Sequence, residues 1–465
     1  MDRPESIPQA TWERIPSEAQ AVVAAVIAAF EARIAGLEAR LSQNSSNSSR
    51  PPSSDGPQVK SSVPRPPSGR PRGGQEGHPK HHRVLLPPDE VIDHKPSRCG
   101  HCDSPLNGDD PEPIVDQVIE LPVRLRQVIH HRRHTLTCPH CQTLTAAEPV
   151  AEAARGFGPR LQATTAYLSG VGRLGKRAIR QLFADLHGIP IALGSVSNLE
   201  ARTGLALRSI HAEAVDHTQG LDANIDETGW KQGPNKAWLW VAVTSRVTAF
   251  LIRRHRDRGA FNDLVGLKPG VLTTDRYSVY AHLDPNRRQV CWAHLRRDFQ
   301  AMIDRHDHGS PIGGELLFHA DLLAQEWANV RDGTRSRSWF SREILPWLRE
   351  EVHLLLEAGS RCGPARTAGV CGELLSLAAS LWTFATVPGV EPTNNEAERA
   401  VRHAVCWRKT SYGTDSERGS RFVERMLTVV ASCRSQGRDV MAFLTQAITA
   451  HQGQSETPSL LPKGA

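Results

Sequence analysis

Leu221-Asp-Ala-Asn-Ile-Asp-Glu-Thr-Gly-Trp230 is the stretch that decides the fold. Its apolar residues Leu221, Ala223 and Ile225 alternate with polar neighbours, the two-residue period of a half-buried strand, and that strand delivers Asp226. Upstream of Gly220 the apolar residues follow the helical period instead. Downstream, Ala237 to Thr244 and Thr248 to Arg253 read as a hairpin, followed by a helical stretch. Gly270-Val-Leu-Thr-Thr then leads into Asp275. A fifth short strand, Arg288 to Trp292, carries Cys291 and runs on to His294. The order is strand, hairpin, helix, strand, with an acid on the first and fourth strands. If those strands lie side by side, the two carboxylates share hard divalent ions, which two-metal phosphoryl chemistry requires. An acid at a strand end is usually an exposed turn residue, so neither aspartate carries this reading alone.

That order is the one found in an RNase H-like sheet. A third acid is expected from a helix packed beside the strands. Residues 303–390 read as helical with no further strand bearing an acid, and then Pro392-Thr-Asn-Asn-Glu-Ala-Glu-Arg-Ala-Val-Arg402 opens a helix. Glu396 and Glu398 are about 200° apart around it, so they cannot both face one metal pair. The apolar face of Ala397, Ala400, Val401, Ala404 and Val405 lies between them and does not choose. Thr393 to Glu396 fits a capping box, which gives Glu396 a structural role and leaves Glu398 for chemistry.

The flanks are of other kinds. The chain has 465 residues, enough for about three domains. Lys and Arg total 56 against 50 acids, a formal +6, and 47 of the 56 are Arg. The planar Arg fork suits phosphate, so this balance fits a nucleic-acid partner. No uninterrupted apolar run approaches 18 residues and no basic-then-apolar leader opens the chain, which argues against membrane and secreted classes. Residues 19–41 place Val23, Ile27, Phe30, Ile34, Leu37 and Leu41 at alternating fours and threes, the seam of a self-associating coiled coil or the buried stripe of an amphipathic helix packed on its own domain. Residues 42–80 are Ser, Pro, Gly and Asn with scattered bases and read as a disordered basic linker. Cys99-Gly-His-Cys102 and Cys138-Pro-His-Cys141 follow, 35 residues apart. Two such pairs supply the four thiolates of a closed structural zinc site, with His101 and His140 left exposed. The apolar residues between them, Ile114, Val118, Ile119, Leu121, Val123 and Leu125, suggest hairpin strands. Leu161 to Leu168, Lys176 to Leu186 and a helix capped by Ser195 come next. Arg173, Lys176, Arg177 and Arg180 cluster there as candidate DNA contacts, in a helix-turn-helix-like arrangement or in generic helical packing.

Together these motifs resemble the insertion-sequence-66 family of bacterial DDE transposases, from about Ala19 to the end. The resemblance rests on Gln43-Asn-Ser-Ser-Asn-Ser-Ser-Arg-Pro-Pro-Ser-Ser-Asp-Gly-Pro57, Arg72-Gly-Gly-Gln-Glu-Gly-His78, the two cysteine pairs and Asp226-Glu-Thr-Gly-Trp230. Cys291-Trp-Ala-His-Leu-Arg-Arg297 and Asn394-Asn-Glu-Ala-Glu-Arg-Ala-Val-Arg402 complete it. It implies catalysis by Asp226, Asp275 and Glu398 with two magnesium ions (manganese able to substitute) and one structural zinc on Cys99, Cys102, Cys138 and Cys141. Arg276 follows Asp275 where a glycine is frequent. The implied activity is cleavage at the element's terminal inverted repeats and joining of the freed 3′-hydroxyls to target DNA, both in-line displacements at phosphorus. His294, Arg399 and Arg402, with Lys176, Arg177 and Arg180, are the expected DNA contacts; a second metal site or a core histidine is the alternative for His294. Expected partners are double-stranded DNA, further copies of this chain and accessory proteins of the same element, with no membrane, in the bacterial cytoplasm at the nucleoid. A silent DNA-binding relic would lack an acid and none is missing. A plain RNase H-type nuclease would have no need of the zipper, zinc module and insertion.

The fold class expected is therefore multidomain α+β. It has a coiled-coil helix at 19–41, a linker at 42–80, a zinc-ribbon-like module at 81–150 and helical DNA-binding residues at 155–217. The catalytic core spans 218–302 and 391–450, split by an all-helical insertion at 303–390, with a tail at 451–465.

Overall fold

A computed structural model describes residues 4, 7–44, 48–50, 85–99, 101–107, 110–112, 115, 117–118, 126–137, 139–453 and 455–462, the side chains of Glu152 and Ala154 excepted. The expected linker at 42–80 and most of the apolar residues expected as strands between the cysteine pairs lie largely outside them.

Helix α1, Ser17–Leu41, starts directly after Pro16 and buries none of its residues, leaving Phe30, Ile34, Leu37 and Leu41 open to solvent. By length and composition alone it is apolar enough to cross a membrane. A count of uninterrupted apolar residues does not register this, because Glu31 and Arg33 break the run. Strands β1 (Thr135–Thr137) and β2 (Leu144–Ala146) pair antiparallel around the second cysteine pair. Val118, expected in a strand between the pairs, is in none and is almost fully exposed. The hairpin thus brackets one knuckle rather than bridging the two.

Four helices follow: α2 (Pro159–Gly170), α3 (Lys176–His187), α4 (Leu193–Ala206) and α5 (Arg208–Thr218). Proline in the first turn of α2 loses no hydrogen bond there, and Gly188 ends α3 at a φ of 58°, where a side chain would be strained. Ile179 and Phe183 of α3 pack with Ile191, Val196 and Leu199. The expected cap at Ser195 is not formed. Helix α4 begins two residues earlier, after Ala192, and Ser195 lies inside it.

The mixed sheet contains β3 (Ala223–Gln232), β4 (Asn235–Val243), β5 (Thr248–Arg253), β6 (Leu272–Thr274) and β7 (Arg288–Val290). Its order is β5-β4-β3-β6-β7; the first three pair antiparallel, and β3-β6 and β6-β7 pair parallel. Helix α6, Arg258–Val265, makes the crossover and is capped by Asp257. Strand β4 is buried on both faces. Leu239 and Val241 join one core with Ala397, Phe422 and Leu444 from the C-terminal helices, while Trp240 and Ala242 join another with Phe261 and Leu264 of α6. The first strand is longer than its apolar alternation suggests, so Asp226 sits in mid-strand instead of at an end.

A helical cluster interrupts the sheet domain: α7 (Trp292–Ile303), α8 (Ser310–Arg331), α9 (Leu345–Ser360) and α10 (Ala365–Ser376). It has its own core of Trp292, Phe299, Leu316, Trp327, Phe340 and Leu348, and so starts about ten residues before the expected boundary. Helices α11 (Asn395–Ser411), α12 (Glu417–Ser435) and α13 (Val440–His451) then return to the sheet. Helix α12 runs along β5. Ser432 Oγ, Thr428 Oγ1 and Glu424 Oε2, all buried, accept the backbone N–H groups of Thr248, Phe250 and Ile252 at 3.0, 3.0 and 2.8 Å.

Candidate active site

Ala223 pairs with Leu272 and Asn224 with Thr273 across the parallel β3-β6 ladder. Continuing that register by two residues sets Asp226 level with Asp275, the residue that follows β6. Asp226 lies on the face of β3 that also carries Trp230, which packs with α11. Burial pushes its carboxyl well above the usual range, and the charges of Glu227, Asp275 and Glu398 push the same way. A hydrogen bond from Glu227 N at 2.9 Å opposes them. Three acids from distant stretches of chain thus come within electrostatic reach of one another.

The turn after β6 is fixed by hydrogen bonds. Asp275 Oδ1 accepts from Tyr277 N at 2.9 Å, and the Asp275 carbonyl accepts from Arg288 Nη2 at 2.8 Å. Arg288 is buried and also donates to Thr274 Oγ1 and to the Tyr280 carbonyl. Arg276 needs no left-handed backbone; it bridges Asp298 of α7 and Glu373 of α10.

Glu398 sits in the first turn of α11, whose start is laced to the sheet. Asn394, fully buried, donates through Nδ2 to the Ile225 carbonyl at 2.6 Å, one residue before Asp226. Its backbone N–H points at Cys291 Sγ at 3.1 Å, and Trp292 N donates to the Pro392 carbonyl at 2.9 Å. The capping box expected at Thr393 and Glu396 is absent. The helix begins at Asn395 with Asn394 at the cap position and no side-chain capping bond. Glu396 is instead an exposed residue 3.5 Å from Arg399. Glu398 turns inward, with Oε1 at 3.5 Å from His294 Nδ1 and 3.6 Å from Arg297 Nη2. Burial first, then the Arg297 charge, hold the His294 ring below its ordinary pKa, and burial raises the Cys291 thiol to about 11.

A buried group on the opposite face of β3 was not singled out from the sequence. Glu227 accepts hydrogen bonds from the Tyr280 hydroxyl and from Arg256. The Arg256 guanidinium lies over Tyr277 at 3.5 Å and over Trp238 at 4.8 Å. Burial, followed by the Asp275 charge, raises the Glu227 carboxyl. The only local signal was adjacency to Asp226.

Of the expected DNA contacts, Lys176, Arg177 and Arg180 are exposed on α3, with Lys176 3.5 Å from Glu200, and Arg399 and Arg402 are exposed on α11. In the cysteine module, Cys99, Cys102 and Cys141 are described and Cys138 lies outside the described residues. The two knuckles share a local geometry. The residue after each second cysteine, Asp103 or Gln142, takes a left-handed φ of 58° or 60°. A hydroxyl follows at 3.4 or 3.3 Å from the sulfur, Ser104 Oγ or Thr143 Oγ1, and the Ser104 contacts lower the Cys102 thiol pKa. His101 and His140 are exposed.

Residues 156–422 match the model described as Transposase IS66 family, and residues 5–84 match a family of unknown function, DUF6444. An uncharacterized protein of Sinorhizobium fredii, y4qI, is 28% identical over 262 residues, covering 49% of this chain and 46% of its own length. A second uncharacterized protein of that organism, y4hP, is 24% identical over 407 residues, covering 77% and 71%. The chain therefore spans about half the length of the first relative.

Proposed function

The chain belongs to the IS66 transposase family, matched over more than half of its length, and on that premise we propose that it cuts DNA at its element's terminal inverted repeats and joins the ends to target DNA. The sheet order, with an antiparallel hairpin side and two parallel strands, supports an RNase H-like core. The observation that carries the reading is the convergence of Asp226, Asp275 and Glu398, brought together from β3, the end of β6 and α11. Acids packed so closely that burial and mutual charge push one carboxyl well above its usual range fit a site that hard divalent ions complete. Asp226, Asp275 and Glu398 would hold two magnesium ions, which supply Lewis-acid activation of the attacking and leaving oxygens.

The chain's own residues do the rest. Asn394 and Arg288 hold the three acids in register. Arg399 and Arg402 offer guanidinium groups to backbone phosphates beside Glu398, and His294 is a further contact there. Lys176, Arg177 and Arg180 form a basic surface for duplex DNA, whose affinity is electrostatic and salt-dependent. The cysteine knuckles hold one structural zinc, and the exposed seam of α1 pairs with further copies of the chain on the DNA, at the nucleoid.

The test is incubation with end-sequence DNA and magnesium, scored for both cut and joined products. Wild type should give both, and Asp226→Asn, Asp275→Asn and Glu398→Gln should give neither while still retaining end DNA. Cutting without joining in the wild type would make the protein a hydrolytic nuclease instead. Joined products from Glu398→Gln would remove that residue from the chemistry.

A further inference from the structure

Cys291, His294 and Glu398 form a second cluster of different chemistry against the carboxylates. One ligand atom from each lies within 4.8 Å of the other two. His294 Nδ1 and Glu398 Oε1 face each other at 3.5 Å; both are sealed from solvent and neither has a hydrogen-bond partner among the described residues. A buried polar atom left unpaired is destabilising, so two of them facing one another mark a place shaped for something else.

The cluster is held by bonds that do not involve its own ligand atoms, apart from one. Cys291 follows β7 and its N–H donates to the Thr274 carbonyl at 2.9 Å, while Glu398 N donates to the Asn394 carbonyl at 3.1 Å. The exception is Asn394 N–H, aimed at Cys291 Sγ, the kind of bond a ligating thiolate accepts. We propose that Cys291 Sγ, His294 Nδ1 and Glu398 Oε1 bind one borderline-soft divalent cation of the zinc class.

The donor set selects that class, because sulfur and imidazole favour zinc over magnesium, which takes oxygen ligands. Zinc bonds of about 2.0–2.3 Å in a tetrahedron put neighbouring ligand atoms about 3.3–3.8 Å apart. The gap of 3.5 Å between His294 and Glu398 falls in that range, and small rotations bring the thiol to the same spacing. Three protein ligands leave a fourth position open. Arg297, 3.6 Å from the same Glu398 oxygen, is the resident cation that the ion displaces; its side chain is about one-third exposed and can swing into solvent. Glu398 keeps its other oxygen for Asp226 and Asp275, and His294 keeps Nε2. Zinc binding here would couple this cluster to the acid triad, and that coupling alone rests on the transposase reading.

Cobalt(II) is the probe, titrated into the full-length chain in magnesium buffer without DNA. The wild type should bind about one equivalent more than Cys291→Ser. The difference spectrum should carry a thiolate-to-cobalt charge-transfer band and the visible bands of a tetrahedral ion. His294→Ala, at a partly exposed position that tolerates truncation, should weaken that equivalent by on the order of tenfold or more, and it serves where Cys291→Ser does not fold. The equivalent bound by the knuckle cysteines should persist in both variants. Equal stoichiometry and identical spectra in wild type and both variants would overturn the site. Loss of DNA joining with an intact cobalt difference would instead count against the transposase reading alone.

Discussion

Asn394 is where a small change should have the largest effect on the architecture of the site. Its Nδ2 donates to the Ile225 carbonyl at 2.6 Å in a fully buried setting, while its Oδ1 has no hydrogen-bond partner among the described residues. Asn394→Ala removes the donor and orphans a buried carbonyl, a cost of about 1–3 kcal/mol. It also deletes the unpaired Oδ1, which returns part of that cost, so the net loss should be about 1–2 kcal/mol. Asn394→Asp keeps the volume but sets a carboxylate against the Ile225 carbonyl, close to three acids. An uncompensated buried charge costs about 3–5 kcal/mol, so the isosteric variant should be the less stable of the two. The exposed neighbour supplies the control. Asn395→Asp, in the first turn of α11, should gain a few tenths of a kcal/mol from the helix dipole. Urea unfolding at pH 7.5 measures all three. The reasoning is refuted if Asn394→Asp matches the wild type within about 0.5 kcal/mol, or if Asn394→Ala is the worse variant.

The remaining expectations are simpler. Asp226→Asn should abolish cleavage yet raise the thermal midpoint of metal-free protein, because it removes a carboxyl that burial and three like charges disfavour; a lower midpoint would mean that the acids are already compensated. Glu396→Gln loses only an exposed ion pair with Arg399, so it should cost no more than about 0.2–0.5 kcal/mol and leave cleavage intact. His211, buried with Nε2 2.8 Å from the Phe250 carbonyl, has its pKa lowered chiefly by burial, against the opposing charge of Glu424. Its neutral form belongs to the fold, so its contribution is fully present above the unfolded value of about 6.5 and is lost as pH falls below it. The urea midpoint should drop between pH 7 and pH 5, and His211→Gln should flatten part of that drop; an unchanged slope would remove His211 as a cause.

Much of the sheet was legible because strand burial has a simple period. The alternation through Ile225 and the apolar run of β4 located a core with two faces, and the crossover through α6 set the parallel neighbour. The length of β3 was not legible, because Thr228, Gly229 and Lys231 carry no apolar alternation and owe their strand to pairing with β4. Glu398 does lie inward and Glu396 outward, yet the capping argument that separated them does not hold. The helix start is fixed by Asn394 reaching across to another strand, a contact no local pattern encodes. Arg288 and Glu227 were passed over for a related reason. A charged residue is expected at the surface, and only tertiary partners such as Thr274 and Tyr280 make its burial affordable.

The row of side chains from α12 along β5 has a consequence in the mismatch of two rises. Four residues of helix advance about 6.0 Å, whereas two residues of strand advance about 6.6–6.8 Å. Each rung therefore slips by about 0.7 Å, and by the third rung the offset is about 1.4 Å. Ser432 and Thr428 reach the first two N–H groups with short side chains, and the third falls to Glu424, whose longer stem spans the accumulated slip while Arg421 holds its carboxylate at 2.7 and 2.9 Å. The third rung thus needs a longer arm than the first two, and Glu424 cannot change places with Ser432 or Thr428 without opening a rung. It also closes the outer edge of the sheet to any added strand.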